Sequence, residues 1–147
     1  MTADNRKTIE RWVAAFNRGD IEAVVNACAE DALNFGHRVG RDGLRAVIND
    51  IYTRFPDAKL TVHQWLADGD WIAFRATYSG THRGVGRLPI DGGMLIGVPP
   101  TGRSFEALHL HMFRLVDGLI QEHWGGRDDV GMMRQLGLVP PPGPPAV

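Results

Sequence analysis

The chain has a single cysteine, Cys28, in 147 residues, which excludes an internal disulfide and leaves core packing as its expected role. Neither charge is in excess: 16 Lys and Arg face 17 Asp and Glu, so there is no electrostatic footprint for nucleic acid or an anionic membrane. No apolar run approaches the roughly 20 residues of a membrane helix, and the opening "MTADNRKTIERW" lacks the apolar centre of a signal peptide. Internal repeats are missing too. These absences predict a cytoplasmic protein that binds no nucleic acid and no membrane, with a small or apolar partner. The one low-complexity stretch, "VPPPGPPAV", predicts a proline-rich tail over 139–147 behind a single domain over 1–138.

What is present divides into helical and strand-like halves. Ile9, Trp12, Val13 and Phe16 recur at helical spacing, and Gly19 ends that segment. Asp20 suits the N-cap of a second helix carrying Ile21, Val24, Val25 and Cys28. Asp42 suits the cap of a third, with Leu44, Val47, Ile48, Ile51 and Phe55, stopped by Pro56. "KLTVHQWLA" and "WIAFRATYSGT" then read as antiparallel strands joined by "DGD". Residues 82–103, rich in Gly and Pro, read as a long loop whose "GGMLIGVPP" part is placed to close over a pocket. Strands over 104–115 and 119–127 and a short helix with Met132, Met133 and Leu136 complete an α+β fold, with helices on one face of a curved antiparallel sheet.

Three of six histidines lie in "EALHLHMFRLVDGLIQEHW". His109 and His111, two apart in a strand, share a face. Whether His123 joins them depends on the turn. A two-residue turn of Asp117 and Gly118 sets His111 opposite Trp124 and sends His123 to the other face; a three-residue "VDG" loop with a G1 bulge sets His111 opposite His123 and His109 opposite Gly125. Together the three imidazoles suit acid and base work near neutrality, three-nitrogen zinc ligation, or hydrogen-bonded core packing. Trp12, Phe16, Phe35, Trp65, Met94 and Phe113 are candidates for an apolar wall. Glu122 and Arg114 alternate away from the histidines.

The order of elements, with "GVPPTGRSFEALHLHMFRLVDGLIQEHW" and "DDVGMMRQLG", resembles the SnoaL-like polyketide cyclases, or ester cyclases, of the nuclear transport factor two-like superfamily over about Ile9 to Leu138. The resemblance implies a cone-shaped sheet with the N-terminal helices packed on its concave face around an apolar pocket, no cofactor, no metal, and a homodimer or higher homo-oligomer. It also implies intramolecular aldol closure of a polyketide or polycyclic substrate, and it favours the three-residue loop. Carried over by position, the family's histidines fall on His111 and His123, its polar partner on His109, and a polar pocket residue on Asn34. The position of its aspartate holds Gly125, which has no side chain to move a proton. His109 and Asp128 are the candidates to replace it, although Asp128 also reads as the N-cap of the last helix.

The expectation is therefore a cofactor-independent cyclase or isomerase with His109, His111, His123 and Asp128 as catalytic candidates and Asn34, Phe16, Phe35, Trp65 and Phe113 contacting substrate. Two alternatives stay open. An epoxide hydrolase of the same fold needs a carboxylate pair and an arginine in the pocket; a small-molecule-binding module needs only the pocket.

Overall fold

Thr2–Asn17 forms the helix α1, and the four apolar residues at helical spacing, Ile9, Trp12, Val13 and Phe16, are all buried in the core. The structure, a computed structural model, describes residues 2–90, 93–140 and 143, so most of the expected tail lies outside the described residues. Asp20 caps α2 (Ile21–Asn26), its side chain accepting from the Ala23 amide at 3.1 Å. Cys28 belongs to the next element: α2 stops at Asn26, and Cys28–Asn34 is the strand β1. The "AED" segment that follows Cys28 is thus sheet. The strand's Cys28, Ala29 and Ala32 are buried, and their small size suits the interior of the sheet.

A two-residue turn, Phe35 and Gly36, both with positive φ, leads to β2 (His37–Arg38). Helix α3 spans Gly40–Arg54. Its N-cap is Val39, three residues before the expected cap Asp42, so Asp42 lies in the first turn and binds Arg45 at 2.6 Å instead of capping. The strands β3 (Lys59–Asp68) and β4 (Trp71–Thr81) pair antiparallel around Gly69 and Asp70, and β5 (Ser104–Val116) and β6 (Leu119–Arg127) form the second long hairpin. Helix α4 (Asp129–Gln135) is the last helix, with Met132, Met133 and the C-cap Leu136 buried.

The strands make one curved, unclosed sheet in the order β2-β1-β6-β5-β4-β3. The sheet is mixed, not wholly antiparallel, because β1 pairs parallel with β6. Residues at odd positions of β5 from Phe105 to Leu115 face the helices and are buried, while Leu108, Leu110 and Met112 face outward and are exposed.

The long loop is fastened at its first third. Arg54 has no exposure and donates to Asp50 at 2.6 and 2.8 Å, and Asp50 accepts the Arg87 amide at 2.9 Å. Arg54 also donates to the Leu88 carbonyl. A Cβ on Gly86 would stand 2.1 Å from Arg54 Nε, so only glycine lets the loop cross the guanidinium. Removing the Asp50 carboxylate by Asp50→Ala takes from a buried cation the charged partner that two of its N–H groups bond, and a loss of about 3 kcal/mol in chemical denaturation is expected.

Candidate active site

The β5–β6 hairpin decides where the histidines point. Asp117 and Gly118 have φ of 50° and 77°, and Val116 pairs with Leu119, which is the two-residue turn and not the three-residue loop. Such a turn alone would place His123 outside. Gln121 is an extra residue: Leu115 pairs with Ile120 and Arg114 with Glu122, so the strand bulges between them and its alternation is reversed. Beyond the bulge His123 pairs with Phe113, Gly125 with His111 and Arg127 with His109. His123 is therefore brought to the face of His109 and His111 after all, by a bulge and not by the turn. The expected opposition of His109 and Gly125 is corrected to His111 and Gly125. Arg114 and Glu122 share the other face and bond each other.

The three imidazoles are joined in series. Nδ1 of His109 lies 3.1 Å from Nε2 of His111; Nδ1 of His111 lies 2.8 Å from Nε2 of His123; Nδ1 of His123 lies 3.1 Å from Oδ1 of Asn34. An amide oxygen only accepts, so His123 carries its proton on Nδ1 and offers a lone pair at Nε2. His111 must then donate from Nδ1, and so must His109. Every bond runs one way, and a lone pair remains at Nε2 of His109. Half a turn of the Asn34 amide reverses the whole chain and leaves a donor there instead. Either polarity serves neutral rings, and burial holds all three neutral: desolvation is the first cause of the lowering at each, to about 2 at His109, to about 3 at His111, and well below the ordinary value at His123.

The chain of rings lines a cavity of about 550 Å³, whose lining includes Trp12, Phe16, Asn34, Phe35, Tyr78 and Phe113. Phe113 stacks on His123 with ring centroids 4.4 Å apart, and Tyr78 lies 4.4 Å from His109. Among the described residues no Asp or Glu lines it. His37 is exposed at the rim. From the long loop Pro89 and Ile90 reach the cavity; Met94 of the expected closing part does not.

Two expected site residues lie elsewhere. Trp65 packs on Phe74, at 5.2 Å, beneath the Arg6 guanidinium, where the start of α1 covers it. Asp128 is the N-cap of α4, accepting the Gly131 amide at 2.9 Å, so its carboxylate is committed to the helix and outside the cavity lining. Among the described residues no group of three His, Cys, Asp or Glu side chains is placed to hold a metal ion; the imidazole nitrogens face one another in sequence. Arg127 was not anticipated. It lines the cavity because the Gln121 bulge puts it on the inner face with His123 and Gly125.

The space a side chain at 125 would take belongs to Phe35. A Cβ on Gly125 would lie 3.3 Å from the Phe35 ring and 3.0 Å from the Leu110 carbonyl oxygen. Gly125→Asp is therefore expected to destabilise the fold by about 1–3 kcal/mol through overpacking. In a thermal melt the additional Phe35→Ala should remove most of that penalty. Equal penalties with and without Phe35 would show that the ring does not occupy this space.

With the site in view, comparison with known proteins gives a consistent answer. The chain is 30% identical over 136 residues to an aklanonic acid methyl ester cyclase of Streptomyces peucetius, covering 88% of each. It is 31% identical over 131 residues to a nogalonic acid methyl ester cyclase of Streptomyces nogalater, covering 85% of this chain and 91% of that one. The solved structure of IdmH from Streptomyces antibioticus superposes with a TM-score of 0.72 at 35% identity, over 90% of this chain and 98% of that chain. The profile of the SnoaL-like polyketide cyclases matches residues 6–136, and the chain belongs to that family.

Proposed function

We propose that the protein is a cofactor-independent cyclase that closes a ring in a polyketide-type substrate by histidine acid and base chemistry, with the cavity folding the flexible precursor. The observation that carries this reading is the one-way chain from His109 through His111 and His123 to Asn34 along the wall of an apolar cavity. Nε2 of His109 takes a proton from a carbon beside a carbonyl as that C–H bond breaks. The ring then passes its Nδ1 proton to His111, and His111 passes its own to His123, so the positive charge moves away from the reacting carbon. The enolate attacks the second carbonyl, the new C–C bond forms, and the resulting alkoxide recovers a proton as the chain runs back. Proton count and charge balance without a further acid, which is how the site works with glycine at position 125.

The chemistry is tested by incubating the protein with nogalonic acid methyl ester and aklanonic acid methyl ester and following isomerisation at unchanged mass. A cyclised product supports the reading; tight binding without conversion favours the small-molecule-binding module. The epoxide hydrolase alternative has its arginine in Arg127, but among the described residues the cavity lining offers no carboxylate pair.

A cytoplasmic setting is supported by the one cysteine, buried and unpaired. Among the described residues no helix is long and apolar enough to cross a membrane. A homodimer is supported by the outer sheet face, where Leu108, Leu110, Met112 and Trp124 are exposed on the paired β5 and β6, beside the Arg114–Glu122 ion pair. Leu110→Glu is expected to convert the dimer to monomer in light scattering while leaving the cavity intact; a wild-type monomer would exclude it.

A further inference from the structure

We propose that the buried Asp50–Arg54 ion pair is a positioning device for the substrate: it holds the loop segment 87–90 as a fixed wall of the cavity, so that two side chains outside the cavity lining set how tightly the substrate is held. The inference rests on the reading of the cavity as a substrate pocket and adds residues that act on it from behind.

Helix α3 works with two faces. Leu44, Val47, Ile48 and Ile51 line the cavity, whereas Asp50 and Arg54, one turn apart, are not among the lining residues and bond the loop instead. A carboxylate buried beside a cation is favourable only when its remaining lone pairs are also taken. Here two of the partners are loop backbone: Oδ1 of Asp50 accepts the Arg87 amide at 2.9 Å, and Oδ2 the Leu88 amide at 3.4 Å. The Leu88 carbonyl in turn accepts from Arg54 and, at 2.8 Å, from the Ile90 amide. A continuous run of bonds thus leads from Asp50 to the backbone of Ile90, and the ring of the intervening Pro89 locks its φ. Among the described residues of the loop, Pro89 and Ile90 are the two that line the cavity.

The same stretch is tied from its other side. Gly86 bridges to Ile96, Gly97 donates to the Gly86 carbonyl at 2.9 Å, and Leu95 beside them has no exposure. The loop therefore meets the substrate as a packed wall. Because folding already orders this wall, binding does not bear the cost of ordering it, and loss of the clamp moves that cost onto binding.

The test is a double-mutant cycle between clamp and wall, Asp50→Asn and Ile90→Ala, read by binding of 1,8-dihydroxyanthraquinone through quenching of tryptophan fluorescence. Ile90→Ala is expected to weaken binding about tenfold and Asp50→Asn by a similar factor. The double variant should be within about twofold of Asp50→Asn alone, because Ile90 has then already lost its place. Gly86→Ala, whose new methyl meets the Arg54 guanidinium, disturbs the same contact with the ion pair present; it should match Asp50→Asn, and it carries the cycle if Asp50→Asn does not fold. On nogalonic acid methyl ester the loss should fall on KM, about tenfold, with kcat within about twofold. Wild-type affinity in Asp50→Asn and Gly86→Ala despite lowered urea midpoints, or factors that multiply in the double variant, would show a purely structural pair and overturn the proposal while leaving the pocket in place. A wild type that does not bind the probe would overturn both. Probe binding that follows the cycle without turnover of the ester would support the wall and count only against the ring-closing reading.

Discussion

Replacing His111 with phenylalanine is expected to lower turnover by roughly a hundredfold or more, the usual loss when a general acid or base is disabled. The substitution keeps an aromatic ring between Phe74, at 5.0 Å, and His123, at 5.1 Å, so the packing of the wall is retained. What it removes is the pair of nitrogens that link His109 to His123. His109 would still be able to take one proton, but the charge would stay on a ring that is 5% exposed and strongly disfavours it. His109→Ala should cost as much, and added imidazole should restore part of its activity but none of that of His111→Phe. Two results would decide against the relay. Full activity of His111→Phe would mean that His109 works alone, and full activity of His109→Ala would mean that substrate folding by the cavity carries the reaction.

Asn34 gives the same chain a finer probe. Asn34→Asp places a carboxylate on Nδ1 of His123 and stabilises the imidazolium at the far end, so the acidic limb of the rate profile should move to higher pH. A merely structural Asn34 would lower activity without moving that limb.

Much of this site could be read before the fold was known, and the exceptions have physical reasons. The shared face of His109 and His111 follows from strand alternation alone. His123 needed the bulge, and the sequence does carry a sign of it: after Ile120, unbroken alternation would put Glu122 inside and His123 outside, burying a charge opposite Arg114's neighbours. One extra residue at Gln121 resolves that conflict and brings in Arg127. Strand β1 was hidden for a different reason. "CAEDALN" has helix-forming residues, and what makes it a strand is its place between β2 and β6, a long-range pairing that local propensity does not report. Asp128 is a case of two readings of one residue, in which the helix cap prevailed because Gly131 lies within reach of its carboxylate.

The same buried rings should make the protein acid-labile. His109, His111 and His123 have folded-state pKa values below the ordinary value of about 6.5, so as pH falls the unfolded chain takes up protons before the native one does. Their contribution is therefore complete above about pH 6.5 and is lost progressively from there down toward the folded value of about 3 at His111. Three groups at about 1.4 kcal/mol per pH unit each give a slope of roughly 4 kcal/mol per unit, or about 5 kcal/mol between pH 7 and pH 5. Against a total stability of about 5–15 kcal/mol for a domain of this kind, that is enough to bring unfolding into the mildly acidic range. Urea denaturation at about pH 7, 6 and 5 should show the midpoint falling steeply below 6. His111→Gln keeps a hydrogen-bonding side chain but cannot ionise, so its slope should be about a third smaller than that of the wild type. A wild-type slope under about 1 kcal/mol per unit would show that the native state takes up protons on these rings almost as readily as the unfolded chain, and the neutral one-way chain would then be the wrong description of the site.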